Sequence, residues 1–131
     1  MALQLDTPSG GNHIHRIEPG CVWVNGRAWR ESLLVPWDGE VRPWGVAGFD
    51  ALQARDFEAL LDDRPELVLF ASGTRLRFAP PALLRPLMAA GVGLDSMDLA
   101  AACRTFAVLA SEERRVLAAL LVESEPPAQH L

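Results

Sequence analysis

Three small residues, Ser72, Gly73 and Thr74, follow the run Glu66-Leu67-Val68-Leu69-Phe70, which ends in the loop Ala71-Ser72-Gly73. A run of that kind reads as a strand covered on both faces, and in open α/β sheets ligands bind just outside the carboxyl ends of strands. The main-chain N–H groups of a small-residue loop can cradle an anion there, and the same residues suit a tight turn equally well. A second cluster begins at Met97-Asp98-Leu99 and continues into Cys103-Arg104-Thr105. At a helix start, free N–H groups and the helix dipole favour an anion, Arg104 would add charge, and the same field lowers a thiol pKa. Cys103 also lies beside Ala102 and Phe106 on an apolar stripe, which describes an inert core thiol. Ser72, Gly73, Thr74, Asp98, Cys103, Arg104 and Thr105 make up the candidate pocket.

Other chemistry is sparse. The three histidines are His13, His15 and His130, and none has a carboxylate or thiol at a metal-ligand spacing, so neither a metal centre nor a cofactor is expected. All 12 basic residues are Arg and Tyr is missing, which removes Schiff-base lysines, a P-loop lysine and tyrosine acids. No nucleophile elbow is present, and no catalytic residue is assigned. Four tryptophans fall between residues 23 and 44. Trp23 and Trp29 belong to a hairpin. Trp37 and Trp44 lie in a Pro/Gly connection, where exposed aromatics would form a partner surface.

These residues must be held by a chain of 131 residues, which is the size of one domain. Half of it is hydrophobic and 22% is charged, the balance of an ordered globular protein. The net charge is −5, all of it within residues 1–66, and no basic stripe marks a nucleic-acid interface. Cys21 and Cys103 are too few for a disulfide framework. No apolar run approaches the ~20 residues of a membrane span, and the first residues resemble neither a signal nor a transit peptide. A cytoplasmic protein without membrane insertion is expected.

Residues 1–12 read as a flexible lead-in, 13–122 as one domain and 123–131 as a polar tail. His13 to Glu18 alternates as a strand. Asn25-Gly26 between apolar flanks is the signature of a type I′ hairpin. Residues 32–35 form another strand, and 36–48 an irregular connection. The period then changes to helical from Leu52 to Asp63, stopped by Pro65. The strand over 66–70 is followed by extended Leu76 and Phe78. A helix opens at Pro80-Pro81, is bent or delayed by Pro86, and ends at Gly91. A short strand over 92–95 precedes a helix capped by Asp98 and running to about Arg115. Val116 to Val122 is a last strand or a continuation of that helix. The order implies an α/β fold with a mixed sheet, helices on its faces and an N-terminal hairpin layer.

The second half resembles the Mth938-type domain, a family that includes mitochondrial complex I assembly factor 3 and small bacterial proteins. The likeness rests on Met97-Asp98, Ala101-Ala102-Cys103-Arg104-Thr105-Phe106, Val108-Leu109, Glu112 and Arg114-Arg115-Val116. Ala71, Leu99 and Ala107 stand where the family usually has Gly, Thr and Asn. The resemblance implies a single-domain, three-layer α/β fold and a non-enzymatic module that binds another protein, self-association included. The competing expectation is a small-ligand or anion binder, or a weak enzyme, using the 71–74 loop and the start of the 98–115 helix.

Overall fold

The computed structural model describes residues 11–123. His130 and most of the expected lead-in and tail lie outside the described residues. Strands β1 (Ile14–Glu18), β2 (Cys21–Val24) and β3 (Arg27–Trp29) form an antiparallel three-stranded sheet. Asn25 and Gly26 turn the β2–β3 hairpin with φ of 53° and 85°, the two positive angles that a type I′ turn requires.

The main sheet contains β4 (Leu33–Pro36), β5 (Arg42–Pro43), β6 (Leu67–Ala71), β7 (Gly93–Met97) and β8 (Val116–Leu120), in the order β5-β4-β8-β6-β7. β8 runs parallel to β6 and antiparallel to β4, and β7 runs parallel to β6, so the sheet is mixed. Every residue of β8 is buried, which explains its uninterrupted apolar sequence. That run is a strand and not an extension of the preceding helix.

The helices are shorter than the periodicity suggested. In place of one helix over 52–63, α1 (Ala54–Glu58) gives way to a 3-10 turn at 59–63, which ends at Arg64 with φ 50°. A 3-10 turn at 81–84 leads into α2 (Arg85–Ala89), so Pro86 delays the helix to its first turn, where the missing N–H costs nothing. α3 (Leu99–Ser111) starts at Asp98, whose carboxylate accepts from the Ala101 N–H at 2.8 Å.

Two cores lie on opposite faces of the main sheet. Alternation along the strands sends Leu69, Ala71, Ala118 and Leu120 to one face, where α3 and the hairpin layer cover them with Phe106, Ala102, Val22 and Trp29. Val68, Phe70, Leu117 and Ala119 meet Trp44, Phe57, Leu60 and Leu87 on the other. The result is a three-layer α/β domain. Trp44 is a correction to the expected partner surface: only 8% exposed, it belongs to the second core. The Pro/Gly connection does not loop into solvent. β5 pairs with β4, the Trp44 N–H donates to the Ser32 carbonyl at 2.9 Å, and the indole is thereby set against Phe57 and Phe70. Trp37 is half-buried and packs against the first core.

Candidate functional site

Parallel β6, β7 and β8 present their carboxyl ends together, so the 71–74 loop stands where an α/β sheet is expected to receive a ligand. Its polar groups are already engaged. Ser72 is fully buried; its N–H donates to the Met97 carbonyl at 3.0 Å, its hydroxyl donates to the Arg75 carbonyl at 2.8 Å, and the Arg77 N–H donates to that hydroxyl at 2.7 Å. The Gly73 carbonyl accepts from the Leu99 N–H at 2.7 Å, tying the loop to the first residue of α3. These bonds make the loop a brace between β6 and α3.

Part of the strand end is crossed by the chain's own residues. After β8, Leu121 donates to the Ala71 carbonyl and Val122 to the Ser32 hydroxyl, which carries Glu123 over the sheet end. The Glu123 carboxylate accepts from Arg77 and from the Phe49 N–H, both at 2.8 Å, and the Arg77 guanidinium stacks 4.6 Å from the Phe49 ring centre. Gly73 must be glycine here. Its φ is 103°, and a Cβ would stand 2.8 Å from Arg77 Nη2. This knot was not anticipated: its partners are 46 and 74 positions apart, and no local spacing announces it.

Burial pushes the Glu123 carboxyl pKa upward, but the Phe49 N–H and the Arg77 guanidinium outweigh it and hold the group below the ordinary carboxylate value. A carboxyl depressed in the folded state contributes stability above its unfolded pKa and loses it as pH falls through the folded value. Glu66 is depressed in the same direction by the Arg115 N–H and by Arg114. Thermal unfolding followed from pH 6 to pH 3 should therefore show a falling melting temperature, and Glu123→Gln should flatten that fall without abolishing it. An unchanged acid slope in the variant would remove Glu123 from the account.

The seven candidate pocket residues do not form one site. Thr74 and Asp98 line a shallow depression of about 290 Å³ with Ile17, Glu18 and Leu99. Cys103 and Arg104 line a second one of about 330 Å³, against Ile14, His15 and Arg16. Arg104 sits six residues beyond Asp98, roughly 9 Å along the axis at ~1.5 Å per residue, and Thr105 is half-buried outside both depressions. Around the helix start the charges are carboxylates, Glu18 and Asp98, and the Asp98 carboxylate takes up an N–H that an anion would need. Burial pushes the Cys103 thiol up to about 12, with Arg104 opposing only in part. The Asp98 carboxylate and the burial of Cys103 thus both work against an anion site and a reactive thiol at this helix end. His15 Nε2 accepts from the Gly26 N–H at 2.9 Å, and among the described residues no three His, Cys, Asp or Glu side chains are grouped to hold a metal ion.

What the structure does expose lies elsewhere. Phe78 is 71% exposed, Met88 68% and Leu76 49%, all three within the segment that joins β6 to β7, and Val108 on α3 is 56% exposed. The sequence placed Leu76 and Phe78 in extended chain, and their i, i+2 spacing was the available signal that both could face one way. Among the described residues no helix is long and apolar enough to cross a membrane.

The family profile described as "Protein of unknown function (DUF498/DUF598)" matches residues 14–121. An uncharacterised protein of Rhodobacter capsulatus is 37% identical over 113 residues, 86% of each chain. The bovine NADH dehydrogenase [ubiquinone] 1 alpha subcomplex assembly factor 3 is 31% identical over 92% of this chain, which spans 61% of that relative's length. Among solved structures, a Mth938-like domain from Bordetella pertussis superposes with a TM-score of 0.80 at 26% identity, with both chains fully covered.

Proposed function

The chain belongs to the DUF498/DUF598 family and has its Mth938-like fold, and we propose that it works as a non-enzymatic module that binds another protein during the assembly of a larger complex. The observation that carries this reading is the exposure of Phe78, Met88 and Leu76, the large apolar side chains presented between β6 and β7. Large apolar side chains held in solvent cost solubility and are the usual anchors of protein interfaces. The similarity to an assembly factor points the same way, and a respiratory-chain complex is the first partner to try. The module is the single domain over 13–122, acting in the cytoplasm. The small-ligand reading has less support, since Ser72 and Asp98 spend their hydrogen bonds internally and Arg104 lies in a separate depression from the loop.

The test is capture by the tagged full chain at native expression, with each captured protein then purified and titrated against it. A true partner should form a defined complex that Phe78→Asp or Met88→Asp weakens at least tenfold, about 1.4 kcal/mol, while Trp37→Phe leaves it unchanged. Both exposed positions should tolerate the substitutions without loss of melting temperature. The proposal fails if no protein is captured specifically, or if the complex is indifferent to both aspartates.

A further inference from the structure

The two sheets have four edge strands, and three of them are blunted against pairing. β5 is two residues long and contains Pro43; β3 is three residues long and begins with Arg27; β1 slips register between Ile14 and Arg16 and carries Arg16 and Glu18. Short strands, proline, irregular register and charge are the ordinary protections of an edge. β7 has none of these apart from one acid. Its five residues stay in unbroken register with β6, without proline or bulge, and Asp95 is its single ionisable side chain.

The open groups on that edge can be named. Met97 turns its carbonyl toward the β6 side, where it accepts from the Ser72 N–H at 3.0 Å. Polar groups alternate in direction along a strand, so Gly93, Asp95 and Met97 serve the β6 side, while the N–H and C=O of Leu94 and Ser96 face outward. Among the described residues no other hydrogen bond reaches those four groups.

We propose that β7 receives an extended segment of a partner polypeptide as a sixth strand, with a basic residue opposite Asp95. The inference rests on the protein-binding reading above and names its mode. The backbone groups specify a strand. The charge specifies which strand, because a second copy paired at this edge would set its own Asp95 and Asp98 within a few residues of this chain's, carboxylate against carboxylate.

The experiment uses the full chain labelled with ¹⁵N and a blocked heptapeptide, Lys-Thr-Val-Arg-Val-Thr-Lys. The amides of Leu94 and Ser96 should exchange freely in the isolated protein and slow at least tenfold when the peptide is added. Ser96→Pro removes one outward donor at an edge position where proline fits; it should keep the melting temperature and lose at least tenfold in peptide affinity. Asp95→Arg should reverse the preference between this peptide and one with Glu at its centre. Amides already protected in dilute protein, protection that grows with protein concentration alone, or amides that the peptide leaves unprotected would each overturn the proposal. A purified partner that still binds Ser96→Pro with full affinity would overturn this mode and leave the protein-binding reading intact, whereas failure of capture by the wild-type chain would overturn that reading itself.

Discussion

Replacing Trp44 by alanine should cost about 3–5 kcal/mol of folding stability, the range for truncating a large buried aromatic. Trp44 meets Phe57 at 5.8 Å and Phe70 at 6.2 Å, both edge-to-face, and Phe57 meets Phe70 at 5.6 Å in the same manner. The three rings form one cluster between the sheet and α1, so removing the largest leaves a cavity that two rigid neighbours cannot close. The indole N–H also donates to the Asp56 carbonyl at 3.1 Å, and its loss frees an acceptor on α1. Domains of this size carry about 5–15 kcal/mol in total, so the variant should stand near its threshold. Urea unfolding would measure the change, and Trp44→Phe should recover much of it. A Trp44→Ala protein within 1 kcal/mol of the wild type would mean that the tryptophan does not fill this core. Trp37, half-buried at the edge of the other core, should cost clearly less.

Trp44 also marks the limit of what the sequence made legible. Local rules carried through where one short segment decides the outcome. Asn25-Gly26 fixed a hairpin because only positive φ fits the turn, and Asp98 opened α3 because an N-cap carboxylate satisfies a backbone donor that nothing else reaches. The buried strand, expected over 66–70 and found at Leu67–Ala71, was readable from its unbroken apolar run. The prolines and glycines of 36–48 announced turns, yet the side of the sheet on which an indole falls depends on the two-residue pairing of β5 with β4, which no periodicity encodes. Val116–Val122 was open between helix and strand for a related reason: a segment buried on both faces carries no alternation.

The site followed the same division. Sequence located the strand-end loop and the helix start that follows β7, and the structure joins them through the Gly73–Leu99 hydrogen bond. It gave no warning that Arg77 and Glu123 would cover the strand ends, since that contact exists only after β8 has been inserted between β4 and β6. Nor could it separate Arg104 from the loop, because helical spacing fixes the face of a residue and not what packs against that face.

Cys103 offers the second large effect, and its sign opposes the usual expectation for a thiol near a helix start. A thiol of ordinary pKa 9.0 is about one part in ten thiolate at pH 8, whereas one pushed to about 12 is about one part in ten thousand. Alkylation proceeds through the thiolate, so native Cys103 should react far more slowly than an exposed cysteine even though a more basic thiolate is the better nucleophile, and burial of the sulfur slows it further. The cause lies in placement. Cys103 is the fifth residue of α3, past the turn in which the dipole acts, it is only 6% exposed, and the Asp98 carboxylate counters the positive end of the helix. Iodoacetamide labelling of a Cys21→Ser variant at pH 8, read by mass spectrometry with and without guanidinium, isolates the effect. Labelling should be nearly absent in the folded protein and rapid once it is unfolded. A folded protein that labels within tenfold of free cysteine would show that α3 opens toward β1, and would return Cys103 and Arg104 to consideration as an active pair. Slow labelling leaves Cys103 as a packing residue beneath the hairpin layer.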